Sequence, residues 1–226
     1  KYKSSSTDRT RRVSRPLRPP RRMISTYQLK SQWQQLLRPA AAWLYRIGVT
    51  ANQITIGACL ISVALGTMAL THPNRKYLFL LISFWCLLRM AANALDGMLA
   101  REYGQASKLG AVLNETGDVI SDAALYLPFA LVAGTQSWLV VAVVLLALLT
   151  EFAGVLSAAL GGERACHGPM GKSDRALVFG IVGLLAGSGL PVAAFINELW
   201  LLVIVLLLLT IFNRVRAAAA CKSEAR

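Results

Sequence analysis

Six predominantly apolar stretches succeed one another along this chain, at Ile54–Leu70, Tyr77–Leu99, Gly110–Leu131, Trp138–Leu160, Ala176–Val192 and Leu199–Val215. An α-helix needs about 20 residues to cross the hydrocarbon core of a bilayer, and these runs approach that length. The first and fifth are short and borrow flanking residues. Backbone groups in lipid must find their hydrogen bonds within the segment, so runs of this kind are helical. Turn-forming residues separate them: His72-Pro73-Asn74, Gly104, Gly134-Thr135, Gly161-Gly162 and Gly189 to Pro191. With 55% hydrophobic and 15% charged residues among 226, a soluble domain is excluded, because too little polar surface remains to cover its core. The expected fold is an all-α membrane protein with six transmembrane helices, and the sequence has no internal repeat.

A different pattern precedes the spans. Leu29, Trp33, Leu36, Leu37, Ala40, Leu44 and Ile47 recur at helical spacing, with Lys30, Gln34, Gln35 and Arg38 between them. The spacing predicts an N-terminal amphipathic helix lying in the membrane interface, within a juxtamembrane segment 23–50 and bent near Pro39. Residues 1–22 hold nine of the Lys and Arg residues and one acid. Rich in Ser, Pro and Arg, this tail is expected to be disordered. Three readings of it stand open: an arm for anionic lipid, a nucleic-acid binder, or sequence ahead of a natural start at Met23. The second lacks aromatic interleaving and a folded reader, so no nucleic-acid partner is expected. The six-helix domain is expected at 51–217 and a short cytoplasmic tail at 218–226. No cleavable signal peptide is apparent. Cys59, Cys86, Cys166 and Cys221 show no metal-ligand spacing and read as ordinary thiols.

Loop cations set the orientation. Arg101, Lys108, Arg164, Lys172, Arg175, Arg214, Arg216 and the N-terminal cluster share one side of a six-span topology, against Arg75 and Lys76 on the other. Both termini are therefore expected in the cytoplasm. The stretch from Asn93 to Asp122 bridges the second and third spans, which places its acids at the cytoplasmic rim.

On helices, Asn93, Asp96, Gly97 and Ala100 share one face, and Gly110, Asn114 and Asp118 form a stripe that Asp122 continues. The short link from Arg101 to Leu109 predicts antiparallel neighbouring helices whose polar faces meet. Converging carboxylates near lipid need cations. Oxygen-only donors suit a hard ion, Mg2+ or Mn2+, and no histidine lies nearby to favour zinc. Small residues at Gly97, Ala100, Gly104 and Gly110 serve either close helix packing or a ligand pocket.

The spacing Asn93-x2-Asp96-Gly97-x2-Ala100-Arg101-x8-Gly110-x3-Asn114-x3-Asp118 resembles the CDP-alcohol phosphatidyltransferase signature D-x2-D-G-x2-A-R-x8-G-x3-D-x3-D. Six of its eight specified positions match. V-T-A-N-Q-I-T, ahead of the first span, is similar to the family's T-P-N-x-I-T. The resemblance implies transfer of a phosphatidyl group from CDP-diacylglycerol to an alcohol acceptor, with release of CMP, by a homodimer in the bacterial inner membrane. It implies that Asp96 ligates the metals that clamp the pyrophosphate. Asp118 would complete the metal site and act as general base. Gly97, Ala100 and Gly110 would make room for the nucleotide, with Arg101 beside it. Lys172 and Arg175 would serve the acceptor pocket, or form an ordinary positive loop together with His167.

Two family acids are Asn93 and Asn114 here, which keeps the shape of the ligands and removes two charges. Three readings follow: activity with fewer or weaker metals, compensation by Glu115 or by the better placed Asp122, or loss of transfer with lipid or nucleotide binding retained. A transporter is disfavoured because the acids cluster at one rim. Arg89 and Glu151, charged at depth, are expected either to pair with each other or to form structural ion pairs; Glu151 also stands where the family often carries an acid.

Overall fold

The computed structural model describes residues 26–160, 164–165 and 168–220. The basic tail, Met23, Gly161-Gly162, Cys166, His167 and Cys221 lie outside them. Among the described residues there is no strand. Seven α-helices follow in order: α1 Thr26–Arg46, α2 Ala51–Thr71, α3 Lys76–Glu102, α4 Lys108–Tyr126, α5 Ser137–Ala159, α6 Lys172–Gly187 and α7 Ile196–Ala220. Short 3-10 turns occupy Leu127–Leu131 and Val192–Ala194. The chain divides into two compact units, 1–36 and 37–226, of which the first contributes only the start of α1 to the described residues. α1 runs through Pro39 without interruption.

Each apolar stretch coincides with a helix. Four of the helices (α2, α3, α5 and α7) are long and apolar enough to cross a membrane. The other two fall short for different reasons. α4 carries Glu115, Asp118 and Asp122 within 19 residues. α6 has 16 residues, which is about 24 Å of helix. Large apolar side chains point outward along the body, among them Leu60, Phe84, Phe152 and Phe212, each more than 60% exposed. An exterior of that kind suits lipid tails and not water.

Local chemistry explains the boundaries. Thr50 caps α2 reciprocally with Gln53, its hydroxyl accepting from the Gln53 N–H at 3.3 Å while Gln53 Oε1 accepts from the Thr50 N–H at 2.9 Å. Ser107 caps α4 by accepting from the Gly110 N–H at 2.9 Å. Pro128 ends α4, since it has no N–H to offer the Ala124 carbonyl and its ring clashes there. α2 closes on that same carbonyl: a Cβ on Gly66 would run into the Ala124 oxygen. Gly183 of α6 does likewise against α3, where a Cβ would lie 2.5 Å from Ser83 Oγ. Small residues permit such backbone approaches in membrane bundles.

Helix pairing differs from the expected hairpin. α4 packs chiefly on α2, and α3 on α2 and α6, while α5 packs on α7. α3 and α4 meet through polar side chains instead of tight backbone packing. Beyond the polar layer an aromatic cluster closes the core: Tyr126 stacks on Phe179 at 3.9 Å, and Phe179 on Trp200 at 4.9 Å, with Phe129 edge-on to both Phe179 and Trp200.

Candidate active site

The helix stripe read from the sequence assembles where α3, α4 and α6 converge. Asn93, one turn before Asp96 on α3, donates through Nδ2 to Asp118 Oδ1 of α4 at 3.3 Å. Asp118 is approached by two cations as well. Arg89 Nη2 donates to the same Oδ1 at 3.2 Å, and the Lys172 ammonium, from the first turn of α6, seats on Oδ2. Asp96 is held by a different helix. Its Oδ2 accepts from the Thr55 hydroxyl of α2 at 2.8 Å, and it takes part in none of the ion pairs among the described residues. Thr55 closes the V-T-A-N-Q-I-T segment. That motif identified the segment from sequence, yet only the fold shows that its last threonine holds Asp96.

Asp122 is placed differently from the metal-side role considered for it. It is buried, and each oxygen faces a guanidinium: Arg89 Nη1 donates to Oδ1 at 2.5 Å and Arg175 Nη2 to Oδ2 at 3.1 Å. Arg175 is wholly buried, and it also donates to Glu151 Oε1 at 2.8 Å and to Thr150 Oγ1 at 3.1 Å. Its guanidinium is thus engaged by Asp122, Glu151 and Thr150. Of the two arrangements expected for Arg89 and Glu151, pairing with each other or separate structural ion pairs, the structure shows the second. Arg89 serves Asp118 and Asp122 on α4, and Glu151 is held by Arg175, by Arg164 at 2.9 Å and by Arg214 at 3.6 Å. Arg164 continues to Glu115 at 2.8 Å. Arg214 of α7, counted from sequence among the cytoplasmic cations, is buried and donates to the Thr150 carbonyl. Sequence reasoning missed the roles of Arg175 and Arg214, whose only signal was their position at the ends of apolar runs.

The small residues divide by function. Gly66 and Gly183 serve close packing, as above. A Cβ on Gly97 would have as its three nearest neighbours the atoms of the Arg101 guanidinium, the closest at 2.9 Å. Ala100 is half-buried beside it and Arg101 is exposed. Gly104 needs its left-handed φ of +69° to leave α3, and a Cβ there would meet nothing within 4 Å. At Gly110 the nearest neighbours of a Cβ would be Asn52 Oδ1 at 2.7 Å and Ser107 Oγ at 3.0 Å. Gln105 Oε1 accepts from the Ala51 N–H at 2.7 Å and ties the α3–α4 link to the start of α2. Gly97, Ala100, Arg101 and Gly110 therefore border the α3–α4 link, near Asp96.

A cavity of about 10 Å³ bordered by Asp122, Tyr126 and Glu151 has the size of one water, not of a nucleotide. Among the described residues no three acids, histidines or cysteines converge as a ready metal cage. The donors present are oxygens: the Asp96 carboxylate, which forms no ion pair among the described residues, and the amides of Asn93 and Asn114. That set fits one hard divalent ion. Asp118 fits poorly as a further ligand, because two cations and an amide already occupy it.

A sequence model described as CDP-alcohol phosphatidyltransferase matches residues 48–212. The chain belongs to the CDP-alcohol phosphatidyltransferase family. Within that family it is 46% identical over 201 residues to the inner membrane protein YnbA of Escherichia coli strain K12, across 89% of this chain and all of that one. It is 29% identical over 174 residues to the phosphatidylinositol phosphate synthase of Mycobacterium marinum, across 74% and 70% of the two chains. A solved structure of the Mycobacterium tuberculosis phosphatidylinositol phosphate synthase, in complex with manganese and citrate, shares the fold at a TM-score of 0.67 and 21% identity, across 83% of this chain and 91% of that one. The same enzyme with CDP-DAG bound matches at a TM-score of 0.64 and 23% identity, across 85% and 98%.

Proposed function

We propose that this family member transfers a phosphatidyl group from CDP-diacylglycerol to an alcohol acceptor and releases CMP. The observation that carries the reading is the hydrogen bond from Asn93 to Asp118. It brings together two signature positions 25 residues apart, one turn from Asp96 and at the helix ends that loop cations assign to the cytoplasm. In this reading α4 and α6 complete six spans, α1 lies in the interface, and both termini and the site face the cytoplasm of a bacterial inner membrane. Homodimerisation belongs to the same reading through the family resemblance.

The rim of α3 receives the nucleotide. Gly97 and Gly110 carry no side chain where a base or ribose would approach, the flexible Arg101 side chain moving off Gly97 to meet phosphate. Asp96, with Asn93 and Asn114, would hold Mg2+ or Mn2+, and that ion would supply charge neutralisation to the pyrophosphate. Lys172, half-exposed at the start of α6, meets the phosphate side of the acceptor or donor. Asp118 Oδ2 takes the acceptor's hydroxyl proton as the alcohol oxygen bonds to the diacylglycerol-linked phosphorus. The bond from that phosphorus to the bridging oxygen breaks, and its electron pair leaves with CMP. Arg175 is assigned to the buried scaffold, and Asp122 with it.

A second reading is a lipid- or nucleotide-binding protein without transfer, favoured by the amides at positions 93 and 114 and by the cations already on Asp118. Purified full-length protein in detergent, given CDP-diacylglycerol, Mg2+ and a panel of alcohols, separates the two. Transfer predicts Mg2+-dependent CMP release and a new lipid with one alcohol. CMP release unchanged in both Asp96→Asn and Asp118→Asn would remove the site assignment.

A further inference from the structure

We infer that this site takes a single divalent cation, because the Lys172 ammonium and the Asn93 amide occupy the places at Asp118 that a second cation would need. The inference deepens the transferase reading, yet its test measures metal and not turnover.

A carboxylate offers about four lone-pair positions. On Asp118, Oδ1 accepts from Arg89 at 3.2 Å and from Asn93 at 3.3 Å, and Oδ2 faces Lys172. One position is left on Oδ2. It can take the proton of an alcohol or bind an ion, but it cannot do both. Asn93 explains why no ion is required there. A carboxylate at position 93 would repel Asp118 at this separation and hold together only with a cation between them. The amide removes the repulsion and supplies a donor, so α3 and α4 are joined directly.

Lys172 covers the other side. Its ammonium has three donors and no acceptor. With one donor on Asp118, two remain for phosphate oxygens, the bridging that a divalent ion would otherwise perform. The surrounding charges agree. Four carboxylates, Glu115, Asp118, Asp122 and Glu151, pair with five side-chain cations, Arg89, Arg164, Lys172, Arg175 and Arg214, and Asp96 is the fifth acid of the cluster. The cluster is already close to neutral. A first divalent ion finds Asp96, which forms no ion pair among the described residues; a second would find no acid left unpaired within this cluster.

The test is titration of full-length protein in detergent with Mn2+, following the resonance signal of free Mn2+ without substrate. The wild-type chain should bind one ion. Lys172→Met should still bind one, at least about tenfold more tightly, since a like charge near the ion is gone. Asn93→Asp with Asn114→Asp should bind one while Lys172 is kept, and two once Lys172→Met is added. Two ions or none in the wild-type chain would overturn the inference. So would a triple variant that binds only one while keeping wild-type helicity and elution, or a second ion gained with Lys172 in place. A failed transferase reading would show separately, as absent CMP release with the one-ion count intact.

Discussion

Arg175 binds two acids from different helices through one nitrogen: Nη2 lies 3.1 Å from Asp122 Oδ2 on α4 and 2.8 Å from Glu151 Oε1 on α5. With Nη1 on Thr150, it ties α6 to both. The polar rim is thus mounted on a buried ionic frame that spans α3 to α7.

Removing that guanidinium should unfold the frame. Arg175→Met leaves Asp122 and Glu151 buried with less compensation, a change that costs about 3–5 kcal/mol when a buried pair is broken. A large fall in melting temperature in detergent is expected. A Lys172→Met protein, whose lysine is half-exposed, should melt close to wild type. Equal melting of Arg175→Met and wild type would refute the frame.

Asp118→Asn should lower CMP release by about 10²–10⁴-fold, the usual contribution of a positioned base. The amide still fills the site and can accept from Arg89, so helicity and elution should be retained. Product formation at wild-type rate would assign the base elsewhere.

Thr55→Val keeps the shape of the side chain and deletes the donor to Asp96. Partners that orient a ligand carboxylate commonly contribute 10–100-fold to metal affinity. The Mn2+ affinity of Thr55→Val is expected to weaken by about that factor. Unchanged affinity would show that Asp96 needs no such support.

Two glycines should respond in opposite ways. Gly66→Ala sets a methyl against the Ala124 carbonyl backbone and should destabilise the fold. Gly97→Ala meets the far end of the flexible Arg101 side chain, so melting should hold while the KM for CDP-diacylglycerol rises. A Gly97→Ala enzyme with an unaltered KM would take that glycine out of the nucleotide pocket.

Much of this was legible along the chain. Every helix after α1 was visible as an apolar run, and Thr50, Ser107 and Pro128 place its ends by local chemistry. The spacing from Asn93 to Asp118 located the site. What could not be read was partner choice. Of the two readings open for Arg89, a partnership with Glu151 or another ion pair, only the structure selects the second, with Asp118 and Asp122 on α4. Asp122 continues the stripe of Asp118 but is turned inward between two arginines. α3 and α4, adjacent in sequence, are each packed more tightly on α2.

Hydropathy and helical spacing act within a single segment, so sequence alone determined that the chain is a bundle of membrane-type helices with a polar rim at one end. Which charge meets which was decided only by the tertiary structure. An ion pair depends on the rotation and depth of two helices at once, and those are set by close approaches such as Gly66 on Ala124, between residues far apart along the chain.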